Sequence, residues 1–347
     1  VVKWMIGHNW RAGTIFFLSS LLCVSPLLGQ TARAAALDAE RLVPVGHTVG
    51  IKLFAEGVVV IGLAEVDTAS GVLTPGADCG LQVGDVIEAA NGKPVDSSEQ
   101  FASLLQCGGV VKLDVSRDGE DLTLAARPVL GDDGTYRLGA WIRDSMAGIG
   151  TVTFYDPVTG TFGALGHGIT DTDTGMLMPL GDGAVMDATV KAVKRGSAGA
   201  PGELKGNFDL TRDMGQLYAN TNRGVFGVLE NAEYTQADAV PVARPGEVRE
   251  GAATILANVA GDGVEEYRIR IAKVLDGSQV QNLLLQVTDE RLIERTGGIV
   301  QGMSGSPILQ NGKIVGAVTH VMVNEPTKGY GILIENMLAE AGQAEKT

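Results

Sequence analysis

Gly297 to Pro307 reads Gly-Gly-Ile-Val-Gln-Gly-Met-Ser-Gly-Ser-Pro, and the reading of Ser304 within that loop governs the rest of the chain. A glycine two places ahead of a serine lets the backbone turn the amides of Gly302 and Ser304 toward one point. Two amides so aimed make an oxyanion hole, which contributes a few kcal/mol to an acyl-transfer transition state. Ser304 is then the candidate nucleophile, and it needs a base.

The base is sought upstream. Thr151 to Tyr155 alternates as a strand, Asp156-Pro157-Val158-Thr159-Gly160 turns the chain, and Thr161 to Leu165 returns toward Gly166-His167-Gly168. His167 therefore ends a hairpin strand between two small residues that leave its ring open to a partner. The chain has four histidines. His8 precedes an apolar run and His47 falls in a separate N-terminal unit, which leaves His167 and His320 as candidate bases. His320 lies on the strand after the serine loop and reads as structural. Beyond that loop, Lys313 to Val318 and Gly329 to Ile334 form strands, and a helix starts near Glu335. Histidine first, then a Gly-x-Ser-Gly loop, a hairpin and a terminal helix is the order of chymotrypsin-like double β-barrels, and the reverse of the order in α/β-hydrolases. The expected fold is mainly β, with this unit spanning 140–347.

Residues 38–130 read as a first folded unit. Gly57 to Val66 is a strand, Gly80-Leu81-Gln82-Val83-Gly84-Asp85-Val86-Ile87 follows, and Asn91-Gly92 is a tight-turn pair. Ser97 and Gln100 form a capping box ahead of a short helix that places Phe101, Leu104 and Leu105 on one face. Val110 to Val115 and Leu122 to Arg127 close a hairpin. This succession resembles a PDZ domain, which takes up a peptide as an added strand beside a helix, with loop amides holding its carboxylate. The resemblance implies a peptide-binding loop at Val45 to Ile51, with Gly46, Val49, Gly50 and Ile51, and a helix wall starting near Ser97.

Composition limits the alternatives. The chain has 347 residues, 45 % of them hydrophobic, and carries 27 Lys and Arg against 41 Asp and Glu, a net charge of -14. Without a basic, aromatic-laced patch, nucleic acid is excluded as a partner. No Cys/His cluster has metal-ligand spacing, so neither a metal nor an organic cofactor is expected. Cys79 and Cys107 read as separate small core residues rather than a bridge. Ala12 to Gly29 carries no charge and follows Lys3 and Arg11, the order of an export signal, with a small-x-small cleavage site ending at Ala34; the same run is long enough for a marginal membrane anchor. Residues 1–36 are thus expected to form an apolar helix that exports the chain or tethers it to a membrane.

Ala164-Leu165-Gly166-His167-Gly168-Ile169-Thr170-Asp171, together with GGIVQGMSGSPILQNGKIVGAVTHVMVNEPTKGYGI, resembles the stage IV sporulation protein B family of PDZ-containing serine peptidases. The likeness extends over nearly the whole chain. It implies Ser304 as nucleophile, His167 as base and Asp289 as the associated acid, in a signalling peptidase that cuts itself near its N-terminus. It further implies cleavage of the extracytoplasmic part of a membrane-bound regulator, between the two membranes around a developing spore, which frees an intramembrane protease to process a late sigma factor. A double barrel equally admits Asp187 or Asp209 as the acid. Asp289 also reads as the N-cap of Glu290-Arg291-Leu292-Ile293-Glu294-Arg295-Thr296, ended by Gly297. Asp171 and Asp173 read as turn residues. Two other functions fit parts of the sequence: a silent PDZ adaptor for a membrane partner, and a quality-control protease, in which the PDZ domain normally follows the protease.

Overall fold

The computed structural model describes residues 41–230, 237–275 and 280–344. The apolar helix expected at 1–36 lies outside them. Among the described residues no helix is long and apolar enough to cross a membrane.

A short strand, Arg41–Pro44, leads into β1 (Thr48–Leu63), whose 16 residues serve two sheets in turn. Val49, Ile51 and Leu53 alternate inward and are buried, as a strand with one face on a core requires. Gly57 marks the change of sheet. Its φ is +89° and a Cβ there would sit 2.5 Å from the Ile87 carbonyl oxygen, so no other residue fits. After it, Val58 and Val59 pair with β2 (Val86–Ala90), which continues through α1 (Ser98–Leu104), β3 (Val111–Arg117) and β4 (Glu120–Ala126). Val58, Ile87, Phe101 and Leu113 form the core of this unit. Ser97 caps the helix, with the Gln100 amide donating to Ser97 Oγ at 3.2 Å, but the Gln100 side chain accepts from the Asp96 amide rather than closing the box on that of Ser97.

The chain returns along β5 (Ala140–Tyr155), antiparallel to β1 over its length from Ala140↔Leu63 to Thr151↔Thr48. Next come β6 (Thr161–Ala164), β7 (Asp182–Lys194), β8 (Glu203–Thr221) and β9 (Gly224–Leu229). The pairings run β1-β5-β6-β9-β8-β7 and back to β1, so these six strands close on themselves. A second closed barrel follows in the order β10-β11-β12-β15-β14-β13. It consists of β10 (Gly251–Ala257), β11 (Glu265–Val274), β12 (Leu283–Val287), β13 (Pro307–Gln310), β14 (Lys313–Val321) and β15 (Lys328–Leu333), with α2 (Glu290–Thr296) before the serine loop and α3 (Ile334–Ala344) at the end. Phe154 and Phe226 of the first barrel, with Leu42 of the leading strand, share one buried cluster with Ala317 and Ile332 of the second and Met337 of α3. This apolar seam fixes one barrel against the other.

Three expectations are corrected. Residues 41–54 belong to the first barrel, so the PDZ-like unit does not begin at 38; it enters at Gly57 and leaves at β5, inserted between two neighbouring barrel strands. Gly46, Val49, Gly50 and Ile51 accordingly form no PDZ peptide loop. The Gly46 amide donates to the Val152 carbonyl at 2.9 Å, Val49 and Ile51 fill the first barrel, and Gly50 backs onto Phe208. Cys79 and Cys107 are both free, but Cys107 is exposed rather than part of a core.

Candidate active site

The serine loop spans α2 to β13 and enters the crevice between the barrels. Gly305 has φ +99°, and a Cβ there would lie 2.0 Å from the Thr151 carbonyl oxygen, so only glycine brings the loop this close to β5. Thr151, nearly fully buried, holds the loop in place. Its amide donates to the Ser304 carbonyl at 3.0 Å and its Oγ1 donates to the Gly302 carbonyl at 2.7 Å. With both carbonyls turned toward β5, the amides of Gly302 and Ser304 take no hydrogen-bond partner among the described residues. They are two free donors beside the candidate nucleophile, the feature an oxyanion hole needs.

The Thr151 carbonyl also accepts from the Leu165 amide at 3.2 Å, so the same residue secures the histidine loop. There the Gly166 amide donates to the Ala164 carbonyl at 2.8 Å, closing a tight turn in which Leu165 sits at φ +68°. A leucine at positive φ costs conformational energy and is held only where surrounding contacts impose it. The turn delivers His167 into the crevice. Ser304, His167 and His320 line one cavity of about 540 Å³.

His167 is half-buried, and its Nδ1 lies 2.8 Å from the Gly168 carbonyl oxygen. A carbonyl only accepts, so Nδ1 carries the proton and Nε2 carries the lone pair, the tautomer a general base requires. Burial, reinforced by the neighbouring His320, pushes the His167 pKa down to about 4, against the upward pull of the Gly168 carbonyl. The His320 ring centroid is 4.8 Å away, and burial lowers its pKa as well. Ser304 Oγ donates to the Thr319 carbonyl at 2.6 Å, so the hydroxyl turns from that acceptor to reach a base.

No carboxylate lines this cavity among the described residues. Asp289 is buried and caps α2, accepting from the Arg291 amide at 3.1 Å, from Arg291 Nε and Nη2 at 3.0 Å each, and from the Arg268 amide at 3.1 Å. The Arg291 guanidinium holds its carboxyl well below the usual carboxylate range. The structure therefore places Asp289 on the helix start, outside the lining of the cavity that holds His167. Asp187 is likewise occupied elsewhere, at 3.1 Å from Nε2 of the buried His47. The side chain of Asp209 lies outside the described residues. Asp171 accepts from the Asp173 and Thr174 amides, the turn role its sequence suggests. Thr151 escaped the sequence reading because a threonine in a strand carries no signal of what its carbonyl and hydroxyl will hold.

A second cavity of about 480 Å³ lies in the inserted unit, between α1 and the start of β5. Phe101, Ala102 and Leu105 form one wall, and Leu138, Gly139 and Ile142 the other. The helix wall is where the PDZ resemblance implied, but its partner is the segment 138–142. Asp144 fastens the far end by accepting from the Ser98 amide at 2.8 Å.

Comparison with known proteins agrees with both units. A PDZ domain model matches residues 69–117. A zinc metalloprotease-named protein, LL2128 of Lactococcus lactis subsp. lactis (strain IL1403), is 38 % identical over 99 residues, 28 % of this chain; the chain spans only 22 % of that relative's length. Among solved structures, the PDZ domain of the SdrC-like protein from Listeria monocytogenes covers 25 % of this chain and 87 % of its own at 22 % identity, with a TM-score of 0.20. The active form of the Rv3671c protease from M. tuberculosis covers 95 % of both chains at 11 % identity, with a TM-score of 0.32. The model of the SpoIVB peptidase S55 matches residues 134–338, more than half of the chain, including Ser304, His167 and His320. The chain is a serine peptidase with a PDZ domain, and it belongs to the SpoIVB peptidase S55 family.

Proposed function

We propose that the chain is an extracytoplasmic signalling endopeptidase in which Ser304 and His167 carry the chemistry. The observation behind the assignment is that the two side chains line one cavity beside two unpartnered amides, all held by Thr151. His167 Nε2 takes the Ser304 proton as Oγ bonds to the peptide carbonyl carbon. The Gly302 and Ser304 amides hold the resulting oxyanion, and His167 then returns the proton to the departing amine. Water, deprotonated by the same nitrogen, releases the acyl group. The Gly168 carbonyl orients the imidazole, in the place where a carboxylate stands in a triad.

Membership of the S55 family supports the biological setting: export across a membrane, self-cleavage near the N-terminus, and a cut in the exposed part of a membrane-bound regulator during sporulation. On this reading the PDZ cavity between α1 and residues 138–142 receives an extended peptide as an added strand on β5. Ser304→Ala should fold with an unchanged thermal midpoint and lose cleavage at least about a thousandfold. Fluorophosphonate labelling at Ser304 of the unaltered chain, with fragment masses from both preparations, checks the nucleophile and the self-cleavage together. A folded Ser304→Ala variant that still cuts overturns the assignment, and an unlabelled but peptide-binding chain indicates a silent adaptor.

A further inference from the structure

The catalytic cavity has a chemical character that bears on which bond is cut. Three and two residues before the oxyanion glycine, Ile299 and Val300 form one wall; Pro201, Val321 and Val323 complete it. Among the described residues its lining holds no Asp, Glu, Lys or Arg, and apart from Ser304 the polar side chains are two histidines, three threonines and Gln301. Beside Ser304, β14 pairs with β13 only as far as Ala317, and the Val318 amide and carbonyl are taken by the Ser306 carbonyl and the Gly305 amide. Thr319 to Val321 therefore run past the end of β13 along the cavity, with the Thr319 carbonyl taken by Ser304 Oγ until that hydroxyl turns to its base. An extended chain laid on this stretch brings its carbonyl to the amides of Gly302 and Ser304.

A second lobe of about 510 Å³ continues beyond Gly302, sharing Ala147, Gly148, Ile149, Gln301 and Gly302 with the first. This lobe is different: Glu203 and Lys205 stand in its wall. Gly302 is thus the crossing point of one groove, with an uncharged lobe containing Ser304 on one side and a lobe with both charges on the other.

We propose that the enzyme selects an uncharged, apolar residue on the acyl side of the scissile bond, seated against Ile299, Val300 and Val321, and tolerates charge on the leaving-group side. The inference rests on Ser304 as nucleophile. A side chain attached next to the attacked carbonyl carbon must lie within a few ångströms of Oγ, inside the uncharged lobe. A buried carboxylate or ammonium there finds no counter-ion, whereas an aliphatic side chain gains from leaving water.

Peptidyl diphenyl phosphonates that differ only in the residue next to phosphorus, with valine, leucine, aspartate or lysine, test this on the full chain by their labelling rates. Intact mass reports the modified residue. Valine or leucine probes should label Ser304 about tenfold faster or more than the charged ones. Equal rates, or faster labelling by a charged probe, overturn the proposal while leaving Ser304 as nucleophile. Failure of a plain alkyl fluorophosphonate to label Ser304 overturns the nucleophile assignment itself, and the specificity with it. In Val321→Glu, checked for folding by its thermal midpoint, the lysine probe should gain at least about tenfold relative to leucine. An unchanged ratio in that variant removes Val321 from the wall and counts against the proposed seat.

Discussion

At the scale of single residues, the decisive feature is a histidine whose orientation comes from the main chain. The Gly168 carbonyl fixes the tautomer of His167 without adding a negative charge to stabilise an imidazolium. Burial therefore wins, and the pKa falls to about 4 instead of the ordinary 6.5. The sign follows directly: a base must be unprotonated, and a lowered pKa keeps His167 unprotonated through mildly acidic solution. The acid limb of kcat/KM against pH should accordingly fall near 4 rather than near 6.5. His320 contributes to the lowering by charge repulsion at 4.8 Å between ring centroids. His320→Gln should move the limb upward, and a pH series on both proteins measures the difference. A limb at 6.5 or above in the unaltered enzyme would show that burial does not depress the His167 pKa during turnover.

Among elements, helix α2 separates a capping carboxylate from a catalytic one. Asp289 satisfies its first-turn amide, pairs with Arg291 and accepts from the Arg268 backbone, all on buried oxygens. Asp289→Ala should lower stability by about 2 kcal/mol, from lost capping and charge-assisted bonds. At a temperature where both proteins are folded, the Ser304 labelling rate should change by less than about threefold, since the carboxylate stands outside the cavity. Thermal midpoints and labelling rates, read together, decide the matter. A large rate loss at an unchanged midpoint would make Asp289 part of the catalytic set. Much of this element was legible beforehand: an Asp at one end, and Gly297 at φ +81° at the other, are local signals for a helix start and stop. The Ser97 cap and the 151–165 hairpin were legible for the same reason. That no carboxylate lines the cavity of His167 among the described residues was not, because that depends on the crossing of two barrels far apart in sequence. Nor was the partner of Gly46 to Ile51. Alternating Val49, Ile51 and Leu53 report a buried strand face but not which sheet buries it.

For the whole molecule, the insertion of the PDZ domain between two barrel strands makes a prediction that the boundary expected from sequence does not. Phe54 of β1 and Ser145 of β5 are cross-strand neighbours inside the first barrel, while Val58, Phe101 and Leu113 beyond them belong to the PDZ core. Residues 55–144 can therefore be replaced by Asn-Gly, a two-residue turn suited to joining antiparallel strands. The shortened chain keeps β1 between β5 and β7, with Asp182↔Phe54 to Asp187↔Val49 intact, and keeps Thr151 on the serine and histidine loops. It should fold cooperatively and still react with fluorophosphonate at Ser304. Deleting 38–130 instead removes the barrel half of β1, opens the six-stranded ring and strips Val49 and Ile51 from its core. That chain should fail to accumulate as folded protein, because an open barrel edge and a missing core strand leave apolar surface uncovered. Circular dichroism, thermal melting and labelling of the two deletions side by side test the insertion. If the 38–130 deletion folds and labels while the 55–144 replacement does not, β1 belongs to the PDZ domain, and the catalytic crevice is built without it.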